Sequence, residues 1–274
     1  MNQKGGVGKT TGTVNLAACT SEAVGPDEQG RNQVAVVSSD PQGSAVWWAE
    51  RVEKQWAEQN EHGRKTQPLP FDFIQHTGDP TPLSRLRNSK RYKHIFVDTP
   101  GWMGLNPRED EAGQDPLDGG PAGDVMRAVL DGAHNVLVPL PAEGLCFKPT
   151  WRTIEKVLKP RGVPFEVYIS DWDPRDGTID RDPATGMFLT KELRETQEFI
   201  DKYGWPMSPI VVRHYRIHTN AAKKGQVCTQ YERSYTALKA AEDFWRTAAR
   251  HGLRGAQQRV DAIDAATSVE GAAV

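Results

Sequence analysis

The run Lys4-Gly5-Gly6-Val7-Gly8-Lys9-Thr10-Thr11 puts three glycines, two lysines and two hydroxyls in one short stretch. Glycines let backbone N–H groups turn inward with no Cβ in the way, which is what a polyanion needs around it. The helix that must follow, from Thr10 to about Ser21, presents its positive N-terminus to the same anion. Lys9 then reaches the β- and γ-phosphates of a nucleoside triphosphate, and the Thr10 hydroxyl ligates Mg²⁺. Read strictly, the phosphate-loop pattern wants glycine at position 3, where this chain has Gln3. The chain instead carries a second lysine, Lys4, at the front of the loop.

Two carboxylates stand where the same chemistry would use them. Val34-Ala-Val-Val37 reads as a buried strand and runs into Ser38-Ser39-Asp40-Pro41-Gln42-Gly43-Ser44. Ligands of open α/β sheets bind at the carboxyl ends of strands, the place Asp40 occupies. Taken alone, Asp40 also fits a helix N-cap. Ile95-Phe96-Val97-Asp98-Thr99-Pro100-Gly101 is an apolar strand ending in an aspartate that would hold Mg²⁺, the Walker B pattern.

The elements that position these residues alternate. Strands are expected at 34–37, 71–74, 94–97, 136–138, 165–169 and 210–212. Helices are expected near 44–59, 81–90, 122–131, 148–158, 189–203 and 234–251. That alternation predicts an α/β fold with a doubly wound, mostly parallel sheet and helices on both faces. A phosphate loop belongs between a strand and a helix, yet only Met1, Asn2 and Gln3 precede Lys4. The first strand therefore lies upstream, or is truncated, or the sheet forms without it; a missing N-terminal segment is the favoured expectation. Residues 101–123, rich in Gly, Pro and acids, read as a long mobile loop, and 253–274 as a frayed tail beyond a single domain over 1–252.

The two-lysine box is the deviant Walker A box, and here the sequence resembles the ParA/MinD family of dimerising ATPases over about residues 1–252. The resemblance implies ATP and Mg²⁺ as cofactors, with Gly5, Gly6, Val7, Gly8, Lys9, Thr10 and Thr11 around the phosphates. It implies that Lys4 crosses the dimer interface to the partner's phosphates and that Asp40 helps position the attacking water. It places the adenine near Ser170 or Asp171, with Pro209 opening a last strand whose following loop also approaches the base. It implies a slow, partner-stimulated ATP hydrolase of the ParA type. Such a protein forms a homodimer with ATP at its interface, binds DNA nonspecifically, and partitions plasmid, phage or chromosome with a ParB-like centromere-binding protein.

Composition narrows the field less. The chain has 274 residues and a formal net charge of −2, so DNA binding would need a local patch. Arg213, Arg216, Lys223 and Lys224, with His214 and His218 among them, form the candidate patch for phosphate contact. Three cysteines without metal-ligand spacing suit a reducing compartment. The expectation is a cytoplasmic, nucleoid-associated protein with no membrane partner. Two rivals are a MinD-like membrane-associated ATPase and a nucleotide-dependent DNA-binding repressor with little hydrolysis. The first needs a basic amphipathic terminal helix, and Gln257 to Asp264 has too little apolar face for it.

Overall fold

Val34 and Val36 sit on one side, and Val37 on the other, of a strand buried at every position, β1 (Val34–Ser38). β-branched side chains on both faces suit a strand covered from above and below. The structure, a computed structural model, describes residues 1–40, 43–61, 68–101, 115–118, 120–173, 178–181, 188–231 and 234–271. β1 pairs in parallel with β2 (Asp72–Gln75) on one side and β3 (His94–Asp98) on the other. β4 (Val136–Pro141) pairs in parallel with β5 (Phe165–Ser170). The stretch from Met207 to Arg213 runs beside β5, with Ser208 N–H donating to Val167 and Val212 N–H to Ile169. The strand expected at 210–212 is thus an interrupted edge, because Pro206 and Pro209 have no N–H to give a ladder. A short antiparallel hairpin, β6 (Thr178–Arg181) with β7 (Phe188–Thr190), was not foreseen; its strands are too short to show a period.

Helices cover both faces. α1 (Lys9–Val24) and α2 (Ser44–Glu61) pack on Val34 and Val36. α3 (Thr81–Ser84) and α4 (Gly120–Gly132) pack on Val37, on the opposite side. The same division continues across β4 and β5. Val138, Leu140, Val167 and Ile169 face α4, α5 (Phe147–Trp151) with its π-helical continuation Arg152–Leu158, and α6 (Lys191–Lys202). Tyr168 faces α1, α8 (Tyr235–Arg250) and α9 (Arg254–Gly271). The doubly wound α/β architecture is therefore as the alternation predicted.

β3 and β4 are not hydrogen-bonded to each other; the described strands form two parallel groups under common helix layers. A cavity of about 400 Å³ lies between them, lined by His94 to Val97 on one side and Val136, Leu137 and Pro139 on the other. β3 is consequently only half-buried over most of its length, whereas β1 is buried throughout. Among the described residues no strand precedes Lys4. Met1 instead lies at the cavity, its amine donating to the Leu137 carbonyl at 2.7 Å.

The region expected to fray is helical from Arg254 to Gly271. Ala256 and Val260, four residues apart and so on one face, are buried against α1 and α8. Of the loop expected at 101–123, residues 102–114 and 119 lie outside the described residues, and α4 already begins at Gly120. Gly255 brings α9 onto the Ala23 backbone so closely that any Cβ would strike the Ala23 carbonyl. Gly255→Val should therefore lower unfolding stability by about 1–3 kcal/mol in urea melts, with no bound nucleotide needed to see it.

Candidate active site

α1 starts abruptly. Gly8, its N-cap, has φ 84° and ψ 14°, a left-handed conformation that a Cβ disfavours. No side chain caps the helix and no acidic residue stands in its first turn, so the leading N–H groups keep their positive character. A Cβ added at Gly5, Gly6 or Gly8 would meet nothing within 4 Å, so the outer side of the loop is open.

The inner side is anchored. Asn2, fully buried, donates to the Pro139 carbonyl at 2.9 Å and to Thr150 Oγ1 at 2.8 Å, and its Oδ1 accepts from Lys4 N–H at 3.0 Å. Gln3 N–H donates to Thr153 Oγ1 at 3.0 Å. Val7 is buried in the β4–β5 core, and Ser170 Oγ donates to its carbonyl at 3.3 Å. Asn2, Thr150 and Thr153 were not singled out by sequence; Ser170 was, but as an alternative to Asp171 at the base and not as a support of the loop. Only Asn2 offered a local signal, a small amide ahead of the loop.

Lys9, Thr10, Asp40 and Asp98 come together. Register places Ser38 of β1 beside Asp98 of β3. Ser39 then donates to the Asp98 carbonyl through both its N–H and its Oγ, each at 2.9 Å. That pair of hydrogen bonds to one carbonyl fixes the start of the Asp40 segment. Thr10 Oγ1 donates to Asp98 Oδ2 at 2.8 Å, and Lys9 Nζ to the Lys4 carbonyl at 2.9 Å. Burial lowers the Lys9 ammonium's pKa, while the charges of Asp98 and Asp40 oppose that shift. Burial, with Asp40 adding, pushes Asp98 up to about 6 against the Thr10 hydrogen bond and Lys9. Asp98 Oδ1 is buried with no hydrogen-bond partner. A carboxylate oxygen left in this way beside a hydroxyl and an open glycine loop is the hard-oxygen donor set that Mg²⁺ takes.

The remaining candidates divide. Asp171 follows Ser170, which touches the loop; Asp171 has φ 56° and its Oδ1 lies 2.6 Å from His214 Nδ1. Pro209 is exposed on the stretch beside β5. Arg213 departs from a freely exposed phosphate contact. Its guanidinium is held by Asp243 at 2.6 Å and by the Lys239 carbonyl at 3.1 Å. Asp243 is buried and needs that counter-charge. Arg216 and Lys223 are exposed on α7 (Arg216–Lys223), seven residues apart and hence on one face. Lys224, also exposed, sits with Nζ 4.9 Å from the Tyr231 ring centre.

Asn2→Leu should cost about 1–3 kcal/mol in thermal or urea unfolding, because it leaves the Lys4 N–H and the Pro139 carbonyl without a partner. His218 yields a pH prediction. Its two ring nitrogens are buried without partners, between Tyr215 and Phe244. Burial lowers its pKa to about 4, with Asp171 opposing and His214 adding. The unfolded chain takes up this proton near the ordinary histidine value, so the unfolded state binds more protons between that value and 4. Stability is therefore full above about pH 6.5 and falls as pH drops toward 4, by on the order of 3 kcal/mol. His218→Phe should remove that component, seen as the difference between the two proteins' stability–pH curves.

Against known proteins, no family model matches the chain. Maintenance of carboxysome distribution protein A of Gloeobacter kilaueensis is 31% identical over 248 residues, 90% of this chain and 90% of that protein. Among solved structures, the septum site-determining protein MinD of Pyrococcus horikoshii, complexed with Mg-ADP, matches with a TM-score of 0.57. The identity is 17%, over 92% of this chain and 96% of that one. A McdA–ATP complex from Cyanothece matches with a TM-score of 0.56 at 14% identity, over 94% of each chain. Those two structures establish a shared fold, and the sequence relative establishes kinship over nearly the whole chain. With the anchored two-lysine loop and its paired aspartates in place, the chain belongs to the ParA/MinD family of P-loop ATPases.

Proposed function

We propose that this protein is a Mg²⁺-dependent ATP hydrolase that dimerises on ATP, binds DNA without sequence preference and positions a cargo through partner-stimulated hydrolysis. The convergence of Lys9, Thr10, Asp40 and Asp98 behind a loop fronted by Lys4 carries the reading. Lys9 exchanges the Lys4 carbonyl for the β- and γ-phosphate oxygens. The N–H groups of Gly5 to Thr11 surround the same phosphates. Thr10 and Asp98 would hold Mg²⁺, which neutralises charge on the phosphates. Asp40 orients the attacking water, and Lys4 reaches the phosphates bound by a second copy. Asp171 and Pro209 flank the base.

The exposed face of α7, with Arg216 and Lys223 beside Lys224, is the DNA contact in this reading, and Arg213 braces it through Asp243. Phosphate contact needs only clustered positive charge, so a slightly acidic protein can still bind DNA there. Plasmid, phage or chromosome is the cargo, with a ParB-like partner stimulating turnover on the nucleoid. The name of the curated relative concerns carboxysome distribution, which supports positioning as the class of task. Among the described residues no helix is long and apolar enough to cross a membrane. α9 spends Ala256 and Val260 on the core, which leaves less for a membrane-surface role.

Measured ATPase turnover should be slow, rise with nonspecific duplex DNA, and fall by at least about 100-fold in Lys9→Ala. Arg216→Glu with Lys223→Glu should weaken DNA binding about tenfold or more at fixed salt and flatten its salt dependence, while ATP binding persists. Fast DNA-independent turnover, or unchanged DNA affinity in the double variant, would contradict the proposal.

A further inference from the structure

Lys4 is already occupied. Its Nζ lies 3.1 Å from Cys146 Sγ and 3.9 Å from Glu143 Oε2, and the thiol and that carboxylate are 3.8 Å apart. The three groups form a closed cluster within one protomer. It is built on the turn that follows β4, where Glu143 N–H donates to the Pro141 carbonyl at 2.7 Å and Cys146 N–H to the Glu143 carbonyl at 2.9 Å. Cys146 is buried in the β4–β5 core and fixes the turn, while Leu145 beside it is 83% exposed. The cluster therefore stands at the surface on a rigid base.

We infer that Cys146 and Glu143 hold the Lys4 side chain inside its own protomer until ATP and a second copy compete for it, and so help set the ATP concentration at which two copies join. This rests on the reading of Lys4 as the residue that crosses to a partner's phosphates. The backbone of Lys4 is held separately, its N–H by the buried Asn2, and that bond persists when Lys9 turns from the Lys4 carbonyl to the phosphates, so the ammonium can leave without releasing the loop. The hold is weak by construction. Glu143 is 62% exposed, so water and salt screen its attraction. Burial pushes the Cys146 thiol up, so at neutral pH it is a neutral, weak acceptor rather than a thiolate. A hold of this strength delays Lys4 without trapping it, because a triphosphate offers several charged oxygens in exchange.

The test uses the full chain and two readouts. Cys146→Ala with Glu143→Gln should reach half-maximal dimerisation, followed by light scattering, at an ATP concentration about three- to tenfold lower than the parent. Cys146→Ser, which keeps an acceptor in place, should stay near the parent. Glu143→Gln alone, at an exposed position that does not threaten folding, should give part of the shift. In a Lys4→Ala background the same substitutions should give none. Independently, reductive methylation of the nucleotide-free protein, read by mass spectrometry, should modify Lys4 severalfold faster in the double variant. Equal methylation of Lys4 in parent and double variant, or a dimerisation shift that survives Lys4→Ala, would overturn the inference. A parent that fails to dimerise on ATP would overturn the proposed function instead, and the methylation comparison would still decide whether Lys4 is held.

Discussion

The join between the two groups of strands is made by side chains. β3 and β4 share no backbone hydrogen bonds, so helices that touch both groups must hold them together. α1 does this on one face, packing Val14, Ala17 and Ala18 toward β1 and Leu16 and Cys19 toward Tyr168 of β5. α4 does it on the other, with Ala128 and Val129 against Val37 and Met126 and Leu130 among the β4–β5 residues. Apolar packing is roughly proportional to area and indifferent to direction, whereas a strand ladder fixes register. Register across the gap is therefore left to the few polar contacts that span it.

Those contacts are made by the phosphate loop. Asn2 and Gln3 bind the β4 side through Pro139, Thr150 and Thr153, while Thr10 binds the β3 side through Asp98. Gly101, just past β3, lies so close to Gln3 and Gly5 that a Cβ there would come within 3.3 Å of both backbones. The loop thus spans the two halves at their carboxyl ends. Its geometry and the relative position of the halves are one quantity, and a change in either is felt by the other.

This explains which parts were legible. The strands and helices that bury continuous apolar faces, such as β1, β3 and α8, announce themselves by period and fall close to their expected bounds. Lys9, Thr10, Asp40 and Asp98 were legible because loop chemistry and strand-end position both constrain residue type. The supports were not. Thr150 and Thr153 lie almost 150 residues from the loop they anchor, on a helix that widens to a π turn, and nothing in their neighbourhood signals a polar task. Arg213 misled for a related reason: a basic run shows its charges but not the buried Asp243 that one of them must neutralise. The docked α9 was hidden because Ala256 and Val260 supply only a narrow apolar stripe, enough when Gly255 admits close approach.

Much of the site is paired with itself. Lys9 sits on the Lys4 carbonyl, Thr10 on Asp98, and the Lys4 ammonium on Cys146 and Glu143. For these side chains nucleotide binding is an exchange of partners, its free energy the difference between two bonded states, whereas the uncapped N–H groups at the start of α1 give up no internal bond. Such a difference is small compared with either term, so modest changes in any internal partner can move it. The buried Asp98 oxygen that has no partner is the exception. In the proposed reading a cation bound there would displace no internal bond, so that gain would not be discounted.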